Sequence, residues 1–237
     1  MQSFLYFFGH GFCHQLPSRS FMVDGLFFSV CSRDTGIYLG LALAIVVAFF
    51  LYRRIREKPS QLPPLSIVLI CALLVLPMAI DAISSYLGFR ATTNTIRYIT
   101  GLLAGIGLGT LVVPSLFGLT RYARADRRIF ETAVSFSIYL AACLLPATLF
   151  YILYPLMGLI APLIPVIAFV AILSILNLLV LSMSSRLQPD GNWRRWLLLI
   201  ALSLAMALFE IALLGLLREA LFALLPDGVN PWAIIGS

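Results

Sequence analysis

The chain of 237 residues has a mean hydropathy of +1.02, with 61% hydrophobic and 11% charged residues. Soluble globular domains carry about 25% charged residues, so that class is excluded. A net charge of +6 does not point to nucleic acid, because the basic residues stand in short clusters between apolar runs, the pattern by which membrane proteins set their orientation.

The opening run, MQSFLYFFG, has no basic n-region and no long apolar h-region, so a cleavable signal is not expected. It is too short to span a bilayer, which takes about 20 residues, and is expected to lie in the interface. The next stretch, HGFCHQLPSRSFMVDGLFFSVCSRD, holds both histidines and two of the four cysteines. Apolar runs of spanning length follow near 36–54, 65–86, 96–118, 131–154, 157–183 and 195–217. The expected fold is all-α: a polytopic transmembrane helix bundle of about six spans over 36–237, preceded by a Cys/His segment over 1–35. No repeat and no separate soluble domain is evident.

Basic residues alternate along the connections. Arg53, Arg54, Arg56 and Lys58 occupy the first, Arg121, Arg124, Arg127 and Arg128 the third, and Arg186, Arg194 and Arg195 the fifth. Arg19, Arg33, Arg90, Arg97 and Arg218 fall on the opposite side, so the split is eleven to five. By the positive-inside rule the odd connections are cytoplasmic. The expected location is therefore the inner (cytoplasmic) membrane, with both termini and the Cys/His segment extracytoplasmic. Tyr52, Tyr151, Tyr154 and Trp196 fall near span ends, as interfacial aromatics do. Pro77, Pro114, Pro146, Pro162 and Pro165 interrupt spans, where each removes one intrahelical hydrogen bond.

The second and third spans carry most of the intramembrane polarity. Asp81 lies in the second; Gly101, Gly105 and Gly109 recur every four residues in the third, a smooth face for close helix approach. Arg97 lies one turn before Gly101 on that face, and an antiparallel hairpin would set it at the depth of Asp81. Arg97 is thus the expected partner of Asp81, either as part of a site or as a buried pair fixing register. Arg90 and Asn94 lie in the intervening connection, and Glu210 in the sixth span is a further candidate for the same group.

In the N-terminal stretch, His10, Cys13 and His14 are spaced i, i+3, i+4, so one helical turn would place them on one face. Asp24-Gly25 between apolar FMV and LFF is a two-residue hairpin signal. A hairpin turning there pairs residues whose numbers sum to about 49, and returns Cys31 and Asp34 toward Cys13. Two imidazoles, two thiols and a carboxylate suit zinc, with copper or iron behind it. A Cys13–Cys31 disulfide is the competing reading. For Asp34, with Thr35 beside it, capping of the first span is the favoured alternative to ligation. Cys71 and Cys143, within spans, read as small core residues.

FCHQLPSRSF followed by CSRDTGIYLG resembles the signature of a family of small prokaryotic membrane proteins, the domain of unknown function numbered twenty eighty-five. The likeness continues through LPMAIDAISSYLGFRATTNTIRYITG and covers roughly the first 110 residues. In that family the position of Asp34 is typically a second cysteine, giving Cys-x-Arg-Cys. The resemblance implies where the site is without implying a reaction.

Three functions follow. One is a metal-dependent membrane enzyme with Cys13, His14 and Cys31 as ligands and His10 or Asp34 completing the set. Asp81 would then be acid/base or a supporting partner, and Arg97 with Arg90, near Asn94, would receive an anionic group. Another is a transporter of a small solute or ion along Asp81, Arg97 and Glu210. The third is a structural or assembly protein with a Cys13–Cys31 bridge that docks a protein partner. The lipid bilayer is the surrounding partner in every case, with zinc the expected metal in the first.

Overall fold

The computed structural model describes residues 2–120, 122–183 and 192–224. Arg121 and Arg186, two of the basic residues used above to orient the chain, lie outside the described residues. Among the described residues, six helices are long and apolar enough to cross a membrane. These are α2 (Ser32–Leu51), α3 (Leu65–Tyr86), α4 (Asn94–Gly118), α5 (Ala133–Leu153), α6 (Ile160–Ser182) and α7 (Trp193–Ala223). A short helix, α1 (Gln2–His10), precedes them and packs on α7 and α6. The chain is an all-helical polytopic bundle. Its spans match the apolar runs, except that α2 starts at Ser32, four residues ahead of the expected position, and α7 continues to Ala223.

The outer surface has the character of a lipid-facing one. Along α3, Leu65, Leu69, Leu73, Leu76, Ile80 and Ile83 are all exposed, while Ile67, Cys71 and Asp81 are the buried positions of that helix. Apolar side chains at helical spacing on the outside, with small and polar residues within, are what a bilayer solvent selects.

At the centre, α2 and α4 lie in parallel with their backbones nearly touching. A Cβ added to Gly36 would collide with the Tyr98 carbonyl, one on Gly101 with that of Arg33, and one on Gly105 with that of Ile37. Small residues permit this approach, which dispersion between backbones then stabilises. The contacts are reciprocal. Gly36 meets Tyr98 as Gly101 meets Arg33, and the motif Thr-Gly-x-x-x-Gly occurs at 35–40 and again at 100–105, sixty-five residues on. The same offset pairs Lys58 with Ala123 in two short parallel strands, β3 (Lys58–Gln61) and β4 (Ala123–Arg128), one following each helix. An α–β unit is therefore repeated about a pseudo-two-fold axis along the bundle, a relation not evident from the sequence. Charges differ in the second copy: Tyr98 and Ile99 stand where the first has Arg33 and Asp34.

Helix α5 is fastened to this pair by tyrosine hydroxyls. Tyr98 donates to the Ala147 carbonyl at 2.8 Å and Tyr139 to that of Ala44 at 3.3 Å. At the opposite end of the bundle from β3 and β4, strands β1 (Met22–Val23) and β2 (Leu26–Phe27) form an antiparallel hairpin. Met22 pairs with Phe27 and Val23 with Leu26, the register expected from the sum of 49. Asp24 and Gly25 have φ of 50° and 77°, the two left-handed residues of a type I′ turn. Beneath the hairpin, Phe21 and Phe28 bury their rings against Tyr154, with centroids 4.8 and 5.9 Å away. This aromatic floor fixes the height of the segments on either side, Cys13–Ser20 and Ser29–Cys31.

Candidate functional site

The hairpin brings Cys31 back beside Cys13. The ligand atoms of Cys13, Cys31 and Asp34 all lie within 4.8 Å of one another, and both cysteines are free thiols. The Cys31 amide donates to Cys13 Sγ at 3.0 Å. Asp34 is not the helix cap favoured from sequence. Cys31 occupies that position with extended φ and ψ, leaving Asp34 in the first turn, where it faces the two sulfurs. A helix N-terminus favours negative charge within its first turn, which works against the cost of burying charge here.

Two residues that sequence reasoning did not single out hold this geometry. Gln15 has a left-handed φ of 54°, and its Nε2 donates to the Tyr6 carbonyl at 2.8 Å and to that of Ser29 at 3.0 Å. It thereby ties the Cys13 segment to α1 and to the returning strand. Arg218 of α7 donates to the Cys13 carbonyl at 2.8 Å and also to that of His10, both at the C-terminal end of α1. Cationic side chains are favoured at that end of a helix. Gln15 adjoins the Cys-His pair and was open to suspicion on that ground; nothing in the sequence connects Arg218 with Cys13, 205 residues away.

The histidines are not on one helical face with Cys13, because α1 ends at His10 and the chain turns at Gly11 and Phe12. His10 is buried and pairs through Nε2 with Glu219 at 2.5 Å, facing α7 rather than the thiols. His14 stays near the cluster without joining the group of three. Burial, with the charges of Arg19 and Arg218, holds its imidazole below the ordinary histidine value against the opposing pull of Asp34. For Cys31, the hydrogen bond with Cys13 and then burial push the thiol well above its ordinary value. A cleft of about 220 Å³, lined by His10, Gly11, Phe12, Cys13, His14, Arg218 and Phe222, reaches the cluster from the α7 side.

A second polar group lies on the same face. Asp81 is 1% exposed and does not pair with Arg97 as the hairpin argument expected. Its carboxylate accepts from Arg33, from Arg90 at 2.6 Å and from the Thr92 hydroxyl at 2.7 Å. The reason is the parallel α2–α4 contact, which places Arg33 of α2 between α3 and α4, where an isolated α3–α4 hairpin would have left Arg97. Arg97 instead donates to Asn94 Oδ1 at 3.1 Å, and Asn94 Nδ2 donates to the Ser20 carbonyl at 3.3 Å. Arg33 was legible in principle: it shares the helical face of Gly36 and Gly40. Glu210 does not join this group either. It accepts from Asn177 of α6 at 3.2 Å, so the three charges expected to line one transport path fall into separate networks.

Residues 13–111 match the family described as "Predicted membrane protein (DUF2085)". An uncharacterized protein of Methanothermobacter thermautotrophicus is 40% identical over 99 residues, covering 42% of this chain and 82% of that protein. The chain belongs to this family. An uncharacterized protein of Methanocaldococcus jannaschii is 36% identical over 105 residues, covering 44% of this chain and 64% of that protein. No solved structure matches. The DUF2085 match takes in the thiol cluster, the hairpin, Asp81 with its partners, and α4 as far as Leu111, while α5, α6 and α7 lie beyond it. The matched region thus holds the α2–α4 contact with the site at one end, while the last turns of α4 and all of β4 fall outside it. Arg218 and Glu219, which hold the α1 end of the site, come from outside it.

Proposed function

We propose that this protein resides in the inner (cytoplasmic) membrane and holds a zinc-class metal ion at its extracytoplasmic face, through Cys13, Cys31 and Asp34 with His14 alongside. The observation carrying this is the convergence of three ligand atoms within 4.8 Å, drawn from segments joined by a hairpin of defined register. In a tetrahedral zinc site with such donors the ligand atoms stand about 3.3–3.8 Å apart, so a closure of about 1 Å brings them to bonding positions. Thiolate with carboxylate or imidazole is a donor set for zinc, and harder ions would select oxygen alone.

Three protein donors leave a fourth position, and the cleft lined by Cys13 and His14 leads to it. An open position is the arrangement of catalytic zinc sites, which favours a metal-dependent membrane enzyme over a purely structural knuckle. When bound, zinc would act as a Lewis acid there; the chain's own residues hold the donors in place. The orientation rests on the charge asymmetry of eleven to five. Among the described residues, Arg53, Arg54, Arg56, Lys58, Arg124, Arg127 and Arg128 all belong to the end of the bundle away from the hairpin.

Metal analysis of protein purified without chelator tests the reading. About one equivalent of zinc is expected, falling to background in Cys13→Ser and Cys31→Ser. Absence of any stoichiometric metal, together with a Cys13–Cys31 disulfide in non-reducing peptide mapping, overturns it.

A further inference from the structure

We infer that the arginines beside the thiol cluster form a binding site for a phosphate group. This goes beyond the metal reading and does not depend on it. Arg97 is 8% exposed, and the hydrogen bond its guanidinium makes within the protein goes to a neutral amide, that of Asn94. Arg33, its side chain 14% exposed, spends one Nη on Asp81 while its Nε is buried without a partner. The two are neighbours: Gly101, one turn beyond Arg97 on its face, packs on the Arg33 backbone. Arg19 borders the same place. Its carbonyl accepts from the Ser32 hydroxyl at 3.1 Å, and its guanidinium lies 5.6 Å from the centroid of the Tyr86 ring.

The group carries more positive charge than negative. Arg19, Arg33, Arg90 and Arg97 gather around one carboxylate, Asp81, which is already filled by Arg33, Arg90 and Thr92. The Asp34 carboxylate adds one negative charge by itself, and a divalent ion held by that carboxylate and two thiolates would add the same. Two positive charges then remain unbalanced; Arg90 is half-exposed, but Arg33 and Arg97 are largely buried. A buried cation without an anionic partner is costly, and guanidinium forks match phosphate oxygens in pairs. Asn94, held by the Ser20 carbonyl, fixes the Arg97 fork in advance of binding. A phosphate carrying one or two negative charges balances the group. At this height in a membrane protein the phosphate belongs either to a lipid headgroup or to a soluble phosphate compound.

The test uses full-length protein, delipidated in a maltoside detergent that carries no phosphate. One arm titrates inorganic phosphate by calorimetry, against chloride at equal ionic strength. The other adds phosphatidylglycerol and counts retained lipid by native mass spectrometry. Saturable one-to-one binding in either arm is expected, weakened by at least about tenfold in Arg97→Gln and unchanged in Arg54→Gln at the other end of the bundle. Binding of inorganic phosphate assigns a soluble ligand, and retention of lipid alone assigns a headgroup. Should Arg97→Gln not fold, Arg97→Lys, which keeps the charge and loses the fork, carries the same comparison. Binding in neither arm, or binding indifferent to Arg97, overturns the inference. Repeating the titration on Cys13→Ser protein separates the two readings, since phosphate binding is expected to survive loss of the metal.

Discussion

The amide of Cys31 points at the sulfur of Cys13 across 3.0 Å, although eighteen residues separate the two in sequence. An amide hydrogen bond to a thiolate spreads its charge and stabilises it as a ligand. The same approach holds the sulfurs as partners for one ion while they remain unbonded to each other. Metal binding should therefore appear as folding stability. Zinc at a hundred times its Kd is expected to add about 2.7 kcal/mol, read as a rise in Tm of the detergent-solubilised protein. Cys31→Ser abolishes the rise. A Tm indifferent to zinc and to chelator in the wild-type protein contradicts the assignment.

The partner of Asp81 gives a second prediction. With both side chains largely buried, Arg33 and Asp81 are expected to couple by about 1.5–3 kcal/mol in a double-mutant cycle. Asp81 and Arg97, the pair expected from the α3–α4 hairpin alone, should couple by less than about 0.5 kcal/mol. Asp81→Asn by itself should cost about 3 kcal/mol or more, because it leaves Arg33 charged and unmatched. Unfolding of the variants in mixed micelles measures all three. Equal coupling of Asp81 to Arg33 and to Arg97 would falsify the assigned network.

Close packing of α2 on α4 gives the third. Gly105→Leu drives a side chain into the Ile37 backbone, which cannot retreat without separating the helices; a loss of about 3 kcal/mol or more is expected. Gly118→Ala, whose added Cβ finds its nearest neighbour 3.9 Å away at Ser60, meets ordinary contact and should be neutral or stabilising by about 0.5–1 kcal/mol. Thermal stability of the two variants decides. A tolerated Gly105→Leu would mean the helices are not in backbone contact.

What could be read from the sequence divides along a physical line. Spans and hairpin register depend on local periodicity and turn chemistry, and so Leu65–Tyr86 and the Met22–Phe27 pair were within reach. The meeting of Cys13 with Cys31 followed from that register. Partner choice among the charges did not, because it depends on which helices touch. Placing Arg97 opposite Asp81 assumed that α3 and α4 form the whole neighbourhood, and the parallel α2 contact put Arg33 there instead. The glycine spacing at 101, 105 and 109 announced a close approach without naming its partner. The clue was the second Thr-Gly-x-x-x-Gly at 35–40. The bond from Arg218 to Cys13 spans nearly the whole chain and leaves no local trace.

Orientation gives the last prediction, and it bears on every other, since a thiol metal site meets different redox chemistry on the two sides of a membrane. Asp24 at the hairpin tip is exposed, Glu57 before β3 is half-exposed, and the two lie at opposite ends of the bundle. With the basic connections inside, Asp24→Cys should react with a membrane-impermeant maleimide in intact cells, and Glu57→Cys only after permeabilisation. Cys13 is buried and Cys31 half-buried, so unmodified protein run in parallel supplies the background. Neither substitution touches the thiol cluster or the α2–α4 contact. Asp24→Cys puts a side chain in a left-handed turn position and Glu57→Cys gives up partly exposed ion pairs with Arg124 and Arg127, so each variant should stay within about 1–2 kcal/mol of the wild-type stability. The reverse labelling pattern would place the site in the cytoplasm, where the surroundings keep thiols reduced and a Cys13–Cys31 disulfide would not persist.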